Sequence, residues 1–351
     1  MARARHVLAV LAAIAACFTG LSASAQGPLA RTLPNDSEIR QATAACTRTG
    51  AAIPTGILGI SDPHAADPAV AELIAETGVR WVRAEFHWSV IEPVPGQGYR
   101  WARYDRMVRE YNKRGISVLA ILTYIPEGMP RDWHVIDDAF QRFAAAVVAR
   151  YAPQGVHHYE VFNEPNLPGY GWLTPRADVS AGLRGYALLL ARANRAVREN
   201  DGEGVVVLGG IASDQHRGLP LERTMDVLYG LGAGPCFDVM AYHPYGYQNQ
   251  FPKARKRVDA VLAAHGDRVP VWFNEYGWTD QRAMDLRVND SAANNPMLAA
   301  LGQRGAADAL FWFSAKDYSR RRGTPTFGLA TFDLKKRPSF ETFRRFVSGM
   351  R

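Results

Sequence analysis

Eight short apolar runs, each followed by a stretch of helical spacing, predict an α/β fold: a single (β/α)8 TIM barrel. The runs hold four to seven β-branched or aromatic residues with little polar alternation, as parallel strands covered on both faces do. No linker or shift of composition divides residues 56–348, so they read as one domain. An open doubly wound sheet is the alternative. It usually carries a glycine-rich phosphate loop, and neither G-x-G-x-x-G nor G-x-x-x-x-G-K-[ST] occurs.

The strands are expected in order at Gly56–Ile60, Gly78–Arg83, Ile116–Leu122, Val156–Phe162, Val205–Ile211, Phe237–Tyr242, Val269–Phe273 and Ala309–Phe313. Helices are expected over Ala69–Glu76, Tyr104–Arg114, Asp138–Tyr151 and Leu183–Glu199, where apolar residues recur at helical intervals. Further helical stretches lie near Arg223–Tyr229, Ala254–Ala264, Met297–Gln303 and Ser339–Val347.

Residues 1–25 have the form of an export signal. Arg3 and Arg5 give the charged start, Val7–Phe18 the apolar stretch, and Ala23-Ser24-Ala25 an A-x-A cleavage site before Gln26. Ile14-Ala15-Ala16-Cys17 offers a rival processing site that would leave a lipidated Cys17. Either way the chain is expected to be exported, to the periplasm or outside the cell. Residues 26–55 are an extension rich in Ala, Thr and Pro with little periodicity, and 56–351 form the barrel domain. Cys46 and Cys236 remain in the mature chain and precede the first and sixth strands, near the floor of the barrel. An oxidising compartment permits a bridge between them; two buried thiols are the alternative.

A net charge of +7 falls to +5 when Arg3 and Arg5 leave with the signal. The basic run Lys253–Arg257 opens a barrel helix and reads as a solvated face, so nucleic-acid binding is not expected. His157 and His158 are adjacent in a strand and point to opposite faces, which makes a poor metal pair. No H-E-x-x-H, C-x-x-C or G-x-S-x-G occurs, and no metal, cofactor or obligate protein partner is expected.

In a (β/α)8 barrel the chemistry lies at the C-terminal ends of the strands. The fourth run ends in Phe162-Asn163-Glu164-Pro165, and the seventh in Phe273-Asn274-Glu275-Tyr276-Gly277-Trp278. One Glu at a strand end is commonly a surface residue. Two of them, each after an Asn and on strands nearly opposite one another, point to paired-carboxylate chemistry.

This arrangement resembles the retaining glycoside hydrolases of clan A. Trp81-Val82-Arg83-Ala84-Glu85-Phe86-His87-Trp88 through Glu92-Pro93 is most similar to family 39, which groups β-xylosidases, α-L-iduronidases and bacterial exopolysaccharide endoglycosidases. The resemblance implies that Glu164 is the acid/base and Glu275 the nucleophile. It implies that Arg83 and Tyr245, in His243-Pro244-Tyr245, donate to Glu275, and that Asn163 bonds the sugar 2-hydroxyl. Trp312 would floor the subsite where positive charge develops; the alternative is barrel filler. Arg83 could instead pair with Glu85 or Asp105.

Other rings and polar groups follow strand ends: His64, His87, Trp88, Tyr124, Tyr170, Trp172 and Trp278. Trp88 and Trp278 join the candidate sugar-binding set, with His243. The expected substrate is a polysaccharide or exopolysaccharide. An exo-acting xylosidase or arabinofuranosidase, or a carbohydrate-binding barrel without catalysis, are the alternatives. Lys316, Arg320, Arg321 and Arg322 beside Asp317 follow the eighth strand and favour an anionic glycan, unless they are a solvated loop.

Overall fold

The computed structural model describes residues 34–130, 132–168, 179–213, 218–247, 250–277, 296–320 and 326–350. The strands are β1 (Ile57–Ser61), β2 (Trp81–His87), β3 (Ser117–Thr123), β4 (His158–Val161), β5 (Val205–Leu208), β6 (Ile211–Ala212), β7 (Met240–His243), β8 (Val271–Tyr276) and β9 (Ala309–Phe313). They pair in parallel in the order β5-β4-β3-β2-β1-β9-β8-β7-β6, and a parallel bridge between Val207 and Val239 joins β5 to the start of β7. Taken as one position, β5 and β6 make the eighth stave of a TIM barrel. The expected fold is the observed one.

The fifth run breaks in two for a physical reason. Gly209 and Gly210 turn their N–H groups out of the ladder, to the Tyr186 hydroxyl at 2.8 Å and to Glu160 Oε1 at 3.1 Å. A Cβ on Gly210 would stand 2.0 Å from His243 Nε2, so only glycine fits there. At the other end of the range, β2 and β8 run past their expected ends, through His87 and Tyr276. β8 carries Glu275 inside the strand, at a register irregularity between Phe273 and Tyr276.

The barrel interior is closed below the site by Ile57, Leu119, Val205, Val207, Val239, Ala241, Trp272, Ala309 and Phe311. Trp81, His158 and Trp272 add a layer of rings, with centroids 4.8 to 6.0 Å apart. His157 points the other way, to Asp201 at 2.9 Å, as alternation requires. The larger core lies between the strands and their helices: Pro68–Glu76, Ala102–Lys113, Trp133–Tyr151, Val179–Asn200, Leu221–Gly230, Phe251–Ala264, Pro296–Gly302 and Pro338–Ser348.

The extension contains a helix, Asp36–Thr43, that periodicity did not predict. A capping box between Asn35 and Glu38 starts it, a signal present in the sequence. The chain then crosses the floor of the barrel. Thr47 and Asn194 exchange hydrogen bonds, Arg48 pairs with Asp267, and the Thr49 N–H donates to Asp238 at 2.7 Å. Cys46 and Cys236 are joined as a disulfide, their Cα atoms 4.8 Å apart.

Candidate active site

Six of the expected site residues converge where β2, β4, β7 and β8 end. Arg83 is the centre, 3% exposed. Its Nε and Nη2 donate to the two oxygens of Glu160 at 2.7 and 2.8 Å. Nη1 donates to Glu275 Oε2 at 2.9 Å and to Ser61 at 3.0 Å, and Nη2 also donates to Asn163 Oδ1 at 2.6 Å. The Tyr245 hydroxyl donates to the other oxygen of Glu275, Oε1, at 3.1 Å. Glu164 Oε1 lies 2.7 Å from His243 Nδ1. Glu164, His243 and Glu275 each offer a side-chain ligand atom within 4.8 Å of those of the other two, which sets the two carboxylates facing across a narrow gap.

Burial and charge set distinct ionisation states. Burial raises Glu275 from the ordinary carboxylate value and Glu164 adds to the rise, while His243, Arg83 and Tyr245 oppose it. Burial pushes His243 down to about 4, so its ring is neutral at neutral pH. Tyr245 is raised by burial and by the Glu275 charge, and it stays a donor. Burial disfavours the Arg83 charge, but Glu160 and Glu275 more than reverse that and keep it protonated.

The backbone here is strained. Tyr124, Phe162 and Glu164 hold φ angles of 64°, 58° and 45°, a region non-glycine residues rarely adopt. All three stand at the ends of β3 and β4. Such strain clusters where a site over-determines its geometry. The Glu164 N–H donates to Gly210 O at 3.0 Å, which pins the residue in this conformation.

Glu160 was missed by sequence reasoning. It is wholly buried, and the partner of Arg83 is Glu160, not Glu85 or Asp105. Glu85 instead meets His87 Nε2 at 2.6 Å, and Asp105 binds Arg150. A signal existed: Glu160 is the one acidic residue in Val156–Phe162, two places beyond an inward His158.

Two rings fall elsewhere than expected. Trp312 is fully buried against Phe343 of the last helix and Tyr276, at 6.2 and 5.9 Å. Phe311 points into the barrel, so alternation turns Trp312 outward and brings Phe313 inward. Phe313 packs against Phe327, whose ring lies 6.0 Å from Tyr245. Trp88 is also fully buried, stacked on Phe143 at 5.3 Å with its Nε1 donating to Glu92. Both are core residues. Trp278, Tyr170, Trp172, Arg321 and Arg322 lie outside the described residues. Lys316 is 6% exposed with its ammonium 4.1 Å over Phe332, and Arg320 pairs with Asp333 over the same ring.

No family model matches the chain, and no curated protein does. Solved structures do match. A family 39 glycoside hydrolase from the gut symbiont Bacteroides cellulosilyticus WH2 superposes with a TM-score of 0.61 at 19% identity, over 85% of this chain. The match spans 64% of that protein's length. The family 39 enzyme from Xanthomonas axonopodis pv. citri gives a TM-score of 0.62 at 17% identity, over 94% of this chain and 72% of its own. A family 1 β-glucosidase from Thermotoga maritima gives 0.62 at 13% identity, over 85% and 99%. At these identities the likeness is one of fold: the chain shares a (β/α)8 barrel with these glycoside hydrolases.

Proposed function

We propose that the chain is a retaining glycoside hydrolase. One observation carries this reading: Glu164 and Glu275 face each other at the catalytic end, each held by its own partners, His243 on one and Arg83 with Tyr245 on the other. Retaining enzymes hold their carboxyl groups about 5–5.5 Å apart and inverting ones about 6.5–9.5 Å, because only the latter seat a water behind the sugar. Side-chain atoms within 4.8 Å favour the retaining class.

In this scheme a Glu275 oxygen attacks the anomeric carbon as the glycosidic C–O bond breaks. Glu164 gives its proton to the departing oxygen. His243 Nδ1 lies 2.7 Å from Oε1 of Glu164 and holds the acid in place through both steps. A water then loses its proton to Glu164, attacks the same carbon and frees Glu275 with the configuration retained. Tyr245 and Arg83 each hold one Glu275 oxygen and stabilise the carboxylate as it departs. Asn163, fixed by Arg83 between the two acids, is assigned to the sugar 2-hydroxyl.

The substrate is proposed to be a polysaccharide. A preference for anionic units at the rim is proposed from the basic run after β9, where Arg320 is exposed while Lys316 is buried over Phe332. The disulfide of Cys46 and Cys236 fits an exported protein. The test is a panel of aryl glycosides and neutral and uronate-containing polysaccharides, with products followed by mass and by NMR of the anomeric proton. Release of sugar with retained configuration is expected. An inverted product would overturn the mechanism, and binding without turnover on every substrate would favour a carbohydrate-binding barrel.

A further inference from the structure

We propose that Glu160 is a positioning residue that sets the geometry of both opposing carboxylates and the share of Arg83 that reaches Glu275. The inference rests on the glycosidase reading above and adds a residue that it does not use.

The geometry is a chain of contacts with Glu160 at its centre. On one side, both Glu160 oxygens take Nε and Nη2 of Arg83, the bidentate face of the guanidinium. That leaves Nη1 to meet Glu275, through one N–H and at one oxygen. Without Glu160, the guanidinium would be free to turn its fork onto Glu275 and tie up both oxygens, including the one that must attack. On the other side, Glu160 Oε1 accepts the Gly210 N–H, and the carbonyl of that same Gly210 accepts the Glu164 N–H. One fully buried side chain therefore fixes the arginine beneath Glu275 and the peptide that holds Glu164. The shape at Gly210 leaves no slack, since even a Cβ would meet His243, the partner of Glu164.

Charge follows from the same placement. Among the described residues, the groups facing this pocket are Arg83 and Glu85 from β2, Glu160 and Glu164 from and beyond β4, His243 and Tyr245 from and beyond β7, Glu275 from β8, and Tyr186 behind Gly209. His243 is neutral, and Glu85 is engaged by His87. Among the described residues, Arg83 is thus the cation shared by Glu160 and Glu275, and Glu160 takes the larger part of it. Neutralising Glu160 gives Arg83 wholly to Glu275, which holds Glu275 ionised to lower pH and weakens it as a nucleophile.

The test compares wild type with Glu160→Gln and Glu160→Asp on 4-nitrophenyl glycosides found active in the panel. For Glu160→Gln, kcat is expected to fall about 10- to 100-fold with KM little changed, the scale of a reacting group displaced by an ångström. The acid limb of kcat/KM should move down by about one pH unit as a facing negative charge is removed. Glu160→Asp keeps the charge but is one methylene too short to reach both Arg83 and Gly210. Its kcat should fall while its acid limb stays in place. Wild-type kcat and an unmoved limb in folded Glu160→Gln overturn the proposal, as does a loss of thermal stability with neither change. Should Glu160→Gln fail to fold, a Glu160→Asp enzyme with wild-type kcat overturns it. If the wild type cleaves none of the probes, the glycosidase reading fails instead. Glu160 is then judged by carbon-13 NMR of labelled glutamate carboxyls, with Glu275 assigned through Glu275→Gln. A Glu275 titration lowered in Glu160→Gln supports the positioning role, and an unchanged one refutes it.

Discussion

Glu275 has a donor on each oxygen, and Glu164 meets a neutral imidazole, so the two acids should respond differently to removal. Glu275→Ala is expected to lower turnover on the order of 10⁶-fold, as loss of a nucleophile does. Azide should restore part of it and yield a glycosyl azide of inverted configuration, identifiable by NMR. Glu164→Ala should spare 2,4-dinitrophenyl glycosides, which leave without a proton, far more than alkyl ones. Equal losses on both would remove Glu164 from the acid role. The aromatic pair at β9 gives a separate check. Trp312→Phe should cost about 1–3 kcal/mol of stability with KM unchanged, because the ring packs in the helix layer. Phe313→Ala should raise KM.

At the level of elements, the strands were legible because parallel β-structure buried on both faces leaves an unbroken apolar run. Both glutamates were legible because they end two nearly opposite runs, each after an Asn, where one alone would read as a surface residue. What escaped was parity and interruption. Trp312 was placed in the site by the family resemblance, whereas counting from the inward Phe311 turns it outward. Glu160 escaped because an acid within a strand looks like an isolated exception until its arginine, 77 positions earlier, is brought across the barrel. The split between β5 and β6 comes from a non-local need, room for His243 and an amide for Glu160, and no local propensity encodes it. Gly210→Ala should therefore lower both melting temperature and kcat, by displacing His243 from Glu164. A variant with wild-type values of both would show that the close approach at Gly210 is not needed.

Across the whole molecule, burying the site changes how activity depends on pH. A carboxylate raised by burial is protonated, and inert as a nucleophile, until the pH exceeds its raised pKa. The acid limb of kcat/KM, which reports the free enzyme, should therefore lie above the ordinary 4.5 of a glutamate. A limb at or below 4.5 would mean that Arg83 and Tyr245 outweigh desolvation. The floor of the barrel carries the other global prediction. Opening a cross-link between residues 190 apart should lower stability by about 5 kcal/mol in the chain-entropy picture. Urea melts with and without reductant, with Cys46→Ser/Cys236→Ser as control, measure it directly.

That cross-link also divides the chain into a leading segment, a closed ring and a tail. Residues 46 to 236 form the ring, which carries β1 through β6 and with them Arg83, Glu160, Asn163 and Glu164. His243, Tyr245 and Glu275 all belong to the tail. Both contacts that position the opposing acids, Arg83 to Glu275 and His243 to Glu164, therefore tie ring to tail. A single protease cut within the ring leaves one covalent molecule under non-reducing conditions. A single cut in the tail before residue 275 severs the nucleophile from the acid, with only packing to hold them together. Synthesis runs in the same direction. Cys236 emerges ahead of the tail, so the half bearing the acid can be locked by oxidation before the half bearing the nucleophile has been made.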